Sequence, residues 1–352
     1  MFSISALTRE NIKTLQPYSS AKDEFSGAAA VFLDANENSL GNSLGNEYNR
    51  YPDSHQVLLK KAIGLQKNIA TENIFLGNGS DECIDLLYRC FCNPGRDNVI
   101  ICPPTYGMYE VSANINDAEV RKAVLLQNFQ LDLKAIKKLI DSNTKMIWLC
   151  SPNNPTGNSI NVNDIKLLLN NFKGLIVIDE AYIDFAKQPS FVKDLNIYPN
   201  MVILQTFSKA WGLAALRLGM AFASAEIINV LNNVKPPYNI SGATQKLALE
   251  ALQETDKLND SIKELVRLKT VLQYNLVKTD IVEQVYLSDA NFLLVRVKDA
   301  AKLYAYLLNK GIVVRNRANI ILCDECLRIT VGTKYENESL ITELINYSNQ
   351  SL

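Results

Sequence analysis

Residues 205–219 read Gln-Thr-Phe-Ser-Lys-Ala-Trp-Gly-Leu-Ala-Ala-Leu-Arg-Leu-Gly, and they directly follow a short apolar run at residues 201–204. An apolar run of this length predicts a buried strand of a parallel sheet. Lys209 would then lie in the loop just beyond the carboxyl end of that strand. Ligands of open α/β sheets bind at such strand ends, so Lys209 is the first candidate for a functional residue.

The residues around Lys209 indicate the kind of ligand that it would bind. Thr206 and Ser208 are close neighbours with hydroxyl side chains, and Arg217 follows eight residues after the lysine. A lysine amine forms an imine with an aldehyde, whereas hydroxyls and a guanidinium suit a phosphate group. The pattern fits an aldehyde cofactor that carries a phosphate. Taken alone, it also fits an exposed loop lysine followed by a structural arginine.

The overall charge argues against several classes of function. The 352 residues include 36 Lys and Arg against 37 Asp and Glu, so no net field favours nucleic acid or anionic lipid. No apolar run reaches the roughly 18 residues that cross a membrane, and the first ten residues lack the pattern of a secretory signal. The composition favours an enzyme that acts on small molecules, with neither nucleic acid nor a membrane as a partner.

The seven cysteines indicate a reducing compartment. Their number is odd, and most lie in apolar runs, where a free thiol behaves as a small hydrophobic side chain. We therefore expect a cytoplasmic protein. Cys323 and Cys326 have the spacing of a metal or redox pair, but no second pair follows and His55 is the chain's only histidine. No metal site is expected.

Strand and helix patterns alternate from about residue 74 to residue 223. Such alternation predicts an α/β protein with a large, doubly wound, mostly parallel sheet. From about residue 244 a long helical pattern leads into apolar runs at 292–297, 312–315 and 327–331, which predict a smaller α+β domain. We expect an N-terminal arm over residues 1–28, a large domain over 29–243 and a small domain over 244–352.

Two turns in the first half of the large domain contain candidate ligand contacts. A glycine-rich turn at 77–79 opens a helix at Ser80 and Asp81, whose backbone N–H groups could hold a phosphate. Glycine turns before helices are common, so this signal is weak alone. Tyr106 follows the strand predicted at 99–102, and its ring could either stack on a planar cofactor or pack in the core.

Two later strand ends carry more specific residues. Asn154 lies between a strand end and Pro155, which fixes its amide in a position to bond an aromatic hydroxyl. Asp179 ends a continuous apolar run, and its carboxylate could keep a pyridinium nitrogen protonated. Tyr182 could share the phenolic oxygen of such a ring with Asn154. The alternative for Asp179 is a helix cap or a metal ligand.

Arg315 and Arg328 each stand in an apolar strand pattern. An unpaired guanidinium in such a place would be costly, so each arginine requires a fixed anion. That anion could be a structural carboxylate or the charged end of a substrate, and the pattern alone leaves both open.

Taken in sequence order, these motifs resemble those of the fold-type I pyridoxal-phosphate aminotransferases, and within them the histidinol-phosphate branch. The resemblance runs nearly end to end. The motifs that carry it are Asp34-Ala-Asn-Glu-Asn38, Arg50-Tyr-Pro52, Gly79-Ser-Asp-Glu82, Pro104-Thr-Tyr-Gly-Met-Tyr109, Ser151-Pro-Asn-Asn-Pro-Thr-Gly157, Asp179-Glu-Ala-Tyr182, Thr206-Phe-Ser-Lys209, Leu216-Arg-Leu-Gly219, Val314-Arg315 and Leu327-Arg-Ile-Thr-Val-Gly332.

The resemblance implies a role for each candidate residue. Lys209 would bond covalently to pyridoxal 5'-phosphate, Asp179 would pair with its ring nitrogen, and Tyr106 would stack on the ring. Asn154 and Tyr182 would hold its phenolic oxygen. The residues implied for its phosphate are Ser80, Asp81, Thr206, Ser208 and Arg217, with Tyr51 of the partner subunit in a homodimer with shared active sites. The residues implied for the substrate are Tyr18, Asn36, Arg315 and Arg328.

The resemblance also implies an activity. We expect amino transfer between L-histidinol phosphate and 2-oxoglutarate, giving imidazole acetol phosphate and L-glutamate, a step of histidine biosynthesis. An aromatic amino-acid aminotransferase or a phosphothreonine decarboxylase of the same fold stays open as an alternative. A non-catalytic regulator that binds the same cofactor would need a DNA-binding domain, and the balanced charge argues against one.

Overall fold

The structure, a computed structural model, describes residues 2–18, 31–44 and 48–350. Within them, two β-sheets of seven and four strands organise the chain. The helices are Ile4–Leu7 (α1), Glu10–Lys13 (α2), Val57–Lys67 (α3), Ser80–Phe91 (α4), Met108–Ile115 (α5), Leu133–Leu139 (α6), Val162–Asn171 (α7), Ala225–Val234 (α8), Gly242–Leu252 (α9), Thr255–Val277 (α10), Ala300–Asn309 (α11) and Lys334–Gln350 (α12).

The larger sheet confirms the predicted α/β architecture. Its strands are Ile74–Asn78 (β1), Asn98–Ile101 (β2), Glu119–Lys122 (β3), Thr144–Cys150 (β4), Leu175–Asp179 (β5), Met201–Thr206 (β6) and Leu218–Ala223 (β7), in the order β1-β7-β6-β5-β4-β2-β3. Only β7 runs against its two neighbours, β1 and β6, and the other pairs are parallel. The sheet is therefore mostly parallel, as the alternating pattern predicted.

Both faces of this sheet are covered, because successive side chains of a strand point to opposite faces. In β4, Ile147 and Leu149 face a core cluster shared with α3 and α7, while Met146 and Trp148 face a second cluster shared with α4 and α8. A strand buried on both faces needs apolar residues at every position. This is why the central strands read as continuous apolar runs.

The smaller sheet has the order β10-β11-β9-β8 and is antiparallel throughout. Its strands are Val282–Val285 (β8), Phe292–Val297 (β9), Arg315–Asn316 (β10) and Cys326–Thr330 (β11). Its core is shared with α10, α11 and α12. The expected strand at 312–315 is largely absent, because the N–H groups of Gly311 and Ile312 bond back to the last turn of α11.

The N-terminal residues that the structure describes pack against the large sheet's helical layer. Ile4 of α1 is buried in the cluster that contains α4, and the Arg9 N–H donates to the carbonyl oxygen of Cys90 at 3.0 Å. The rest of the expected arm, residue 1 and residues 19–28, lies outside the described residues. In α9, Ala248 is buried against the large core. The limits 1–28, 29–243 and 244–352 stay predictions.

Three further findings concern the remaining sequence expectations. All seven cysteines are buried and none forms a disulfide. In the described part of the chain, no cluster of three or more His, Cys, Asp or Glu side chains could hold a metal ion. Among the same residues, no helix is both long and apolar enough to span a bilayer.

Candidate active site

The carboxyl ends of the central parallel strands meet at one edge of the large sheet. In the strand register Asp179 pairs with Cys150 of β4 on one side and with Leu204 of β6 on the other. The loops that follow these strands line a cavity of about 710 Å³. The predicted residues that line it are Ser80, Asp81, Tyr106, Asn154, Asp179, Tyr182, Thr206, Ser208, Lys209, Arg217, Arg315 and Arg328.

Lys209 lies in the turn after β6, as the sequence predicted. Its Nζ atom is 5.5 Å from the centre of the Tyr182 ring. Burial lowers the pKa of the Lys209 amine, and the positive charge of Arg328 lowers it further. A lowered pKa leaves a larger neutral fraction near pH 7, so this amine is suited to take up a proton or attack an aldehyde.

Asp179 is a buried carboxylate with two donors, one of which the sequence did not identify. Its side chain is 3% exposed, and it accepts hydrogen bonds from the Tyr109 hydroxyl at 2.6 Å and from the Ala181 N–H at 3.0 Å. Burial raises the pKa of Asp179, and both hydrogen bonds oppose that rise. The Tyr109 ring stacks on Trp148 at 5.0 Å, which fixes its hydroxyl toward Asp179.

One end of the cavity is formed by the start of α4. Gly79 has a φ of +75° and no side chain caps the helix that begins at Ser80. A Cβ atom on Gly219 would lie 2.2 Å from the Ser80 nitrogen, so only glycine allows β7 to approach the helix start this closely. A helix start without a side-chain cap suits an anion. We call this part of the cavity lining the phosphate end; its residues are Ser80, Asp81, Thr206, Ser208 and Arg217.

Two residues expected at the phosphate end already have partners. The Asp81 carboxylate accepts from the Tyr106 hydroxyl at 3.0 Å and lies 3.7 Å from Arg217. A carboxylate repels phosphate, so Asp81 can bind one only through its backbone N–H. The Thr206 hydroxyl donates to the Leu218 carbonyl oxygen and accepts from the Ser208 N–H. Thr206 therefore supports the turn from which Ser208 faces the cavity.

The other end of the cavity is formed by the small sheet. Arg315 of β10 lies directly opposite Arg328 of β11 in the strand register. An Nη atom of Arg328 donates to the Asn154 side-chain oxygen at 2.5 Å, and its guanidinium lies 5.2 Å from the Phe292 ring centre. Arg317, which was not among the predicted site residues, lines the cavity beside them. We call these three arginines the arginine end.

Three expected residues do not line the cavity of this single chain. Tyr18 is 75% exposed, and Asn36 is exposed with a φ of +54°. The Tyr51 ring stacks on Tyr238 with 4.5 Å between ring centres and is 48% exposed. All three roles came from the resemblance, and Tyr51 was expected to act on a partner subunit. They stay predictions.

A family model for aminotransferases of class I and II matches residues 23–344 of the chain. The chain belongs to this aminotransferase family. A curated histidinol-phosphate aminotransferase of Cytophaga hutchinsonii is 51% identical to this aminotransferase over 346 residues, which are 98% of this chain and 99% of that protein.

Solved structures of other aminotransferases share the fold of this aminotransferase. The histidinol-phosphate aminotransferase from Clostridium acetobutylicum has a TM-score of 0.78 at 28% identity and covers 86% of this chain and 91% of its own. That of Sinorhizobium meliloti, solved in complex with pyridoxal-5'-phosphate, has a TM-score of 0.79 at 20% identity and covers 86% and 84%. The fold-type I architecture expected from the sequence is confirmed.

Proposed function

We propose that this aminotransferase moves an amino group between L-histidinol phosphate and 2-oxoglutarate, giving imidazole acetol phosphate and L-glutamate, as a step of histidine biosynthesis. The observation that carries the proposal is the layout of one cavity. The phosphate end, the arginine end and Lys209, whose amine has a lowered pKa and is affected by both Arg217 and Arg328, line this one cavity. The relative that is 51% identical over nearly the whole chain supports the same reaction.

The residues of the cavity fit pyridoxal 5'-phosphate as the cofactor. Asp179 is a carboxylate that burial disfavours in its charged form, so it requires a cation, and a protonated ring nitrogen is one. The helix start at Ser80, the Ser208 hydroxyl and Arg217 form a donor set for a phosphate. Lys209 supplies the amine that bonds to an aldehyde. When bound, the cofactor supplies an electron sink for the reacting carbon of the substrate.

The residues around the reacting atoms have separate tasks. The Nζ atom of Lys209 takes the proton from the substrate's α-carbon as a base and delivers it again as an acid. Arg328 holds the side-chain oxygen of Asn154, which leaves the Asn154 amide N–H groups free to donate to a phenolic oxygen. Asp179 is held in place by Tyr109, so its carboxylate keeps one orientation.

The arginine end suits the charged group of each substrate. Histidinol phosphate has no carboxylate, so its phosphate must occupy the site that the carboxylate of glutamate uses in the other half-reaction. Guanidiniums bind phosphate and carboxylate alike with paired, charge-assisted hydrogen bonds. No ion pair between these arginines and a carboxylate occurs in the described ranges of the chain, so a structural carboxylate does not occupy the site there.

The reaction is tested with purified enzyme, histidinol phosphate and 2-oxoglutarate. We expect one glutamate for each imidazole acetol phosphate, and slower turnover with aromatic amino acids. Carbon dioxide release from phosphothreonine would favour the decarboxylase alternative, and faster turnover with phenylalanine or tyrosine would favour the aromatic one. Absence of glutamate formation from histidinol phosphate would refute the proposal.

We also propose a cytoplasmic homodimer in which each subunit contributes to both active sites. Tyr51 lies outside the cavity of its own chain, with part of its ring exposed, which supports a role in the neighbouring site. A two-fold interface would complete both sites at once. The buried, unpaired thiols support a reducing compartment. Sedimentation of the fully active enzyme as a monomer would refute the shared sites.

A further inference from the structure

Arg317 stands on the same face of the small sheet as the two arginines expected from the sequence. Its N–H donates to the Cys326 carbonyl oxygen at 2.9 Å, so the ladder between β10 and β11 continues to this residue. Residues two apart on a strand point to the same face. Arg315 and Arg317 therefore share a face, and Arg328 joins them because it pairs directly with Arg315. All three line the cavity.

The three guanidiniums have no counter-charge in the described part of the chain. None of them forms an ion pair there, and the Nε atoms of Arg317 and Arg328 are buried without a hydrogen-bond partner. Burial lowers the pKa of Arg317, and the charges of Arg328 and Arg315 lower it further. An arginine with a structural role would have its guanidinium paired, because a buried, unpaired charged donor is costly. Three guanidiniums that line one cavity without a counter-charge are suited to bind an anionic ligand.

We propose that Arg317 is a third guanidinium of the substrate's anion site and that it favours a dianionic phosphate over a carboxylate. The inference rests on the proposed function and deepens it, because it concerns how one site accepts two different substrates. A carboxylate carries one negative charge and two oxygens, so the Arg328 guanidinium alone can pair with it. A phosphate monoester carries close to two negative charges at pH 7 and offers three oxygens. Only the phosphate has a further oxygen that can accept hydrogen bonds from a third arginine.

The proposal is tested without turnover, by titrating inorganic phosphate into the holoenzyme in a phosphate-free buffer. The cofactor's own phosphate fills the phosphate end, so added phosphate reports the arginine end. Glutarate, titrated in parallel, is the carboxylate probe, because each of its two carboxylate groups carries one charge and two oxygens. The variants are Arg317→Gln, which removes the charge, and Arg317→Lys, which keeps the charge but loses the planar fork. Arg267→Gln is the matched control, because it also removes one positive charge from an exposed helix position paired with Glu264.

We expect Arg317→Gln to weaken phosphate binding by about tenfold or more, the effect of losing one charge-assisted hydrogen bond, and glutarate binding by less than about threefold. Arg317→Lys should recover part of the phosphate affinity, and Arg267→Gln should bind both ions as the wild type does. Equal losses for phosphate and glutarate would show that Arg317 does not discriminate. Unchanged phosphate binding in a folded Arg317→Gln would remove it from the site.

These outcomes are separate from the test of the reaction itself. If the wild type bound phosphate through Arg317 but did not turn over histidinol phosphate, the assignment of Arg317 to the anion site would be retained and the substrate would be another phosphate compound. If histidinol phosphate were turned over and Arg317→Gln raised its KM no more than that of glutamate, the proposed function would stand and this inference would fall. The melting temperature of each variant shows whether a loss reflects unfolding.

Discussion

The two ends of the cavity hold their charged side chains in different ways. At the phosphate end, Arg217 lies 3.7 Å from the Asp81 carboxylate, and its guanidinium also donates to the Ser208 hydroxyl at 3.4 Å. At the arginine end, Arg315 and Arg317 have no such partner in the described ranges, although they lie beside Arg328. The positive charge of Arg217 at the phosphate end is largely balanced by Asp81 before any ligand binds, whereas the positive charge at the arginine end is not.

This difference indicates which ligand stays and which exchanges. A resident cofactor needs a site whose geometry is fixed in advance, and internal pairs such as the one between Arg217 and Asp81 fix it. A substrate binds and leaves in every cycle, so its site can leave positive charge unneutralised until the anion arrives.

The largest effect is expected between the two ends, from Lys209→Ala. Covalent attachment and proton transfer both use this amine, so turnover should fall by at least about 10³-fold. The purified variant should also lose the visible absorbance of bound cofactor. Lys257→Ala, at an exposed position paired with Glu254, is the control and should behave as the wild type. Near-normal turnover of Lys209→Ala would show that the site is wrongly identified.

At the arginine end, the two variants Arg328→Ala and Arg315→Ala should differ. Arg328 is partly buried and also holds Asn154. Its loss should therefore reduce the interaction free energy with the substrate by about 2 to 5 kcal/mol, for histidinol phosphate and for glutamate alike. Arg315 is exposed and forms no side-chain hydrogen bond to a described residue. Its loss should slow the histidinol-phosphate half-reaction more than the glutamate one.

Single-turnover rates with each amino donor measure this contrast. If Arg315→Ala slowed the single-turnover reaction by the same factor with both amino donors, Arg315 would serve the fold or another ligand. If Arg328→Ala affected only the half-reaction of histidinol phosphate, the bond from Arg328 to Asn154 would have no part in orienting the Asn154 amide. Either result would remove the distinction drawn between these two arginines.

The sequence could predict the large sheet and most of the cavity for a simple physical reason. Strands buried on both faces read as apolar runs, and parallel strands bring the residues after their carboxyl ends to one edge. Lys209 and Asp179 were found in this way. The edge strand β8 was missed because its Val-Glu-Gln-Val sequence is half polar and its residues are at most partly buried.

Tyr109 and Arg317 were missed because their roles depend on contacts that local patterns do not contain. Tyr109 reaches Asp179 across 70 residues of sequence, through the packing of α5 against the sheet. Arg317 joins the cavity only because the β10 and β11 register continues past the assigned strand. An arginine two residues after Arg315 was the one available signal, since alternate residues of a strand share a face.

Beside Asp179, Tyr109→Phe should reduce turnover less than the arginine variants do, and it should change the pH dependence of the reaction. The Tyr109 hydroxyl stabilises the charged form of Asp179, so its removal raises the pKa of Asp179 further. The protonated, inactive form then persists to higher pH, and the acid limb of the kcat/KM profile should move up by about one pH unit. Stability should fall by about 1 kcal/mol.

Tyr88→Phe is the matched control for Tyr109→Phe. Its hydroxyl is equally buried and donates to the Tyr109 carbonyl oxygen at 2.8 Å, but it does not touch Asp179. It should lower the free energy of unfolding by a similar amount without moving the acid limb. A shift of the same size in both variants would mean that the pH profile reports general loosening and not the charge state of Asp179.

The smallest effect is expected from Tyr51→Phe, outside the cavity. The ring would keep its stacking on Tyr238 and the backbone its bond to Glu37, so the fold should be unchanged. Only the hydroxyl is lost, and if it binds the cofactor phosphate of the neighbouring site, cofactor affinity should fall about three- to tenfold. Cofactor release during dialysis measures the affinity of the variant relative to that of the wild type, and Tyr238→Phe is the control.

A hybrid dimer of one Lys209→Ala chain and one Tyr51→Phe chain then decides which subunit uses the hydroxyl. Only the Tyr51→Phe chain retains Lys209, so all turnover comes from the cavity of that chain. If Tyr51 of the partner subunit completes each site, this cavity receives an intact hydroxyl and should retain cofactor as the wild type does. If Tyr51 acts within its own chain, the same cavity lacks the hydroxyl and should lose cofactor as readily as the Tyr51→Phe homodimer. The second result would remove the shared active site while leaving the contrast between the phosphate end and the arginine end intact.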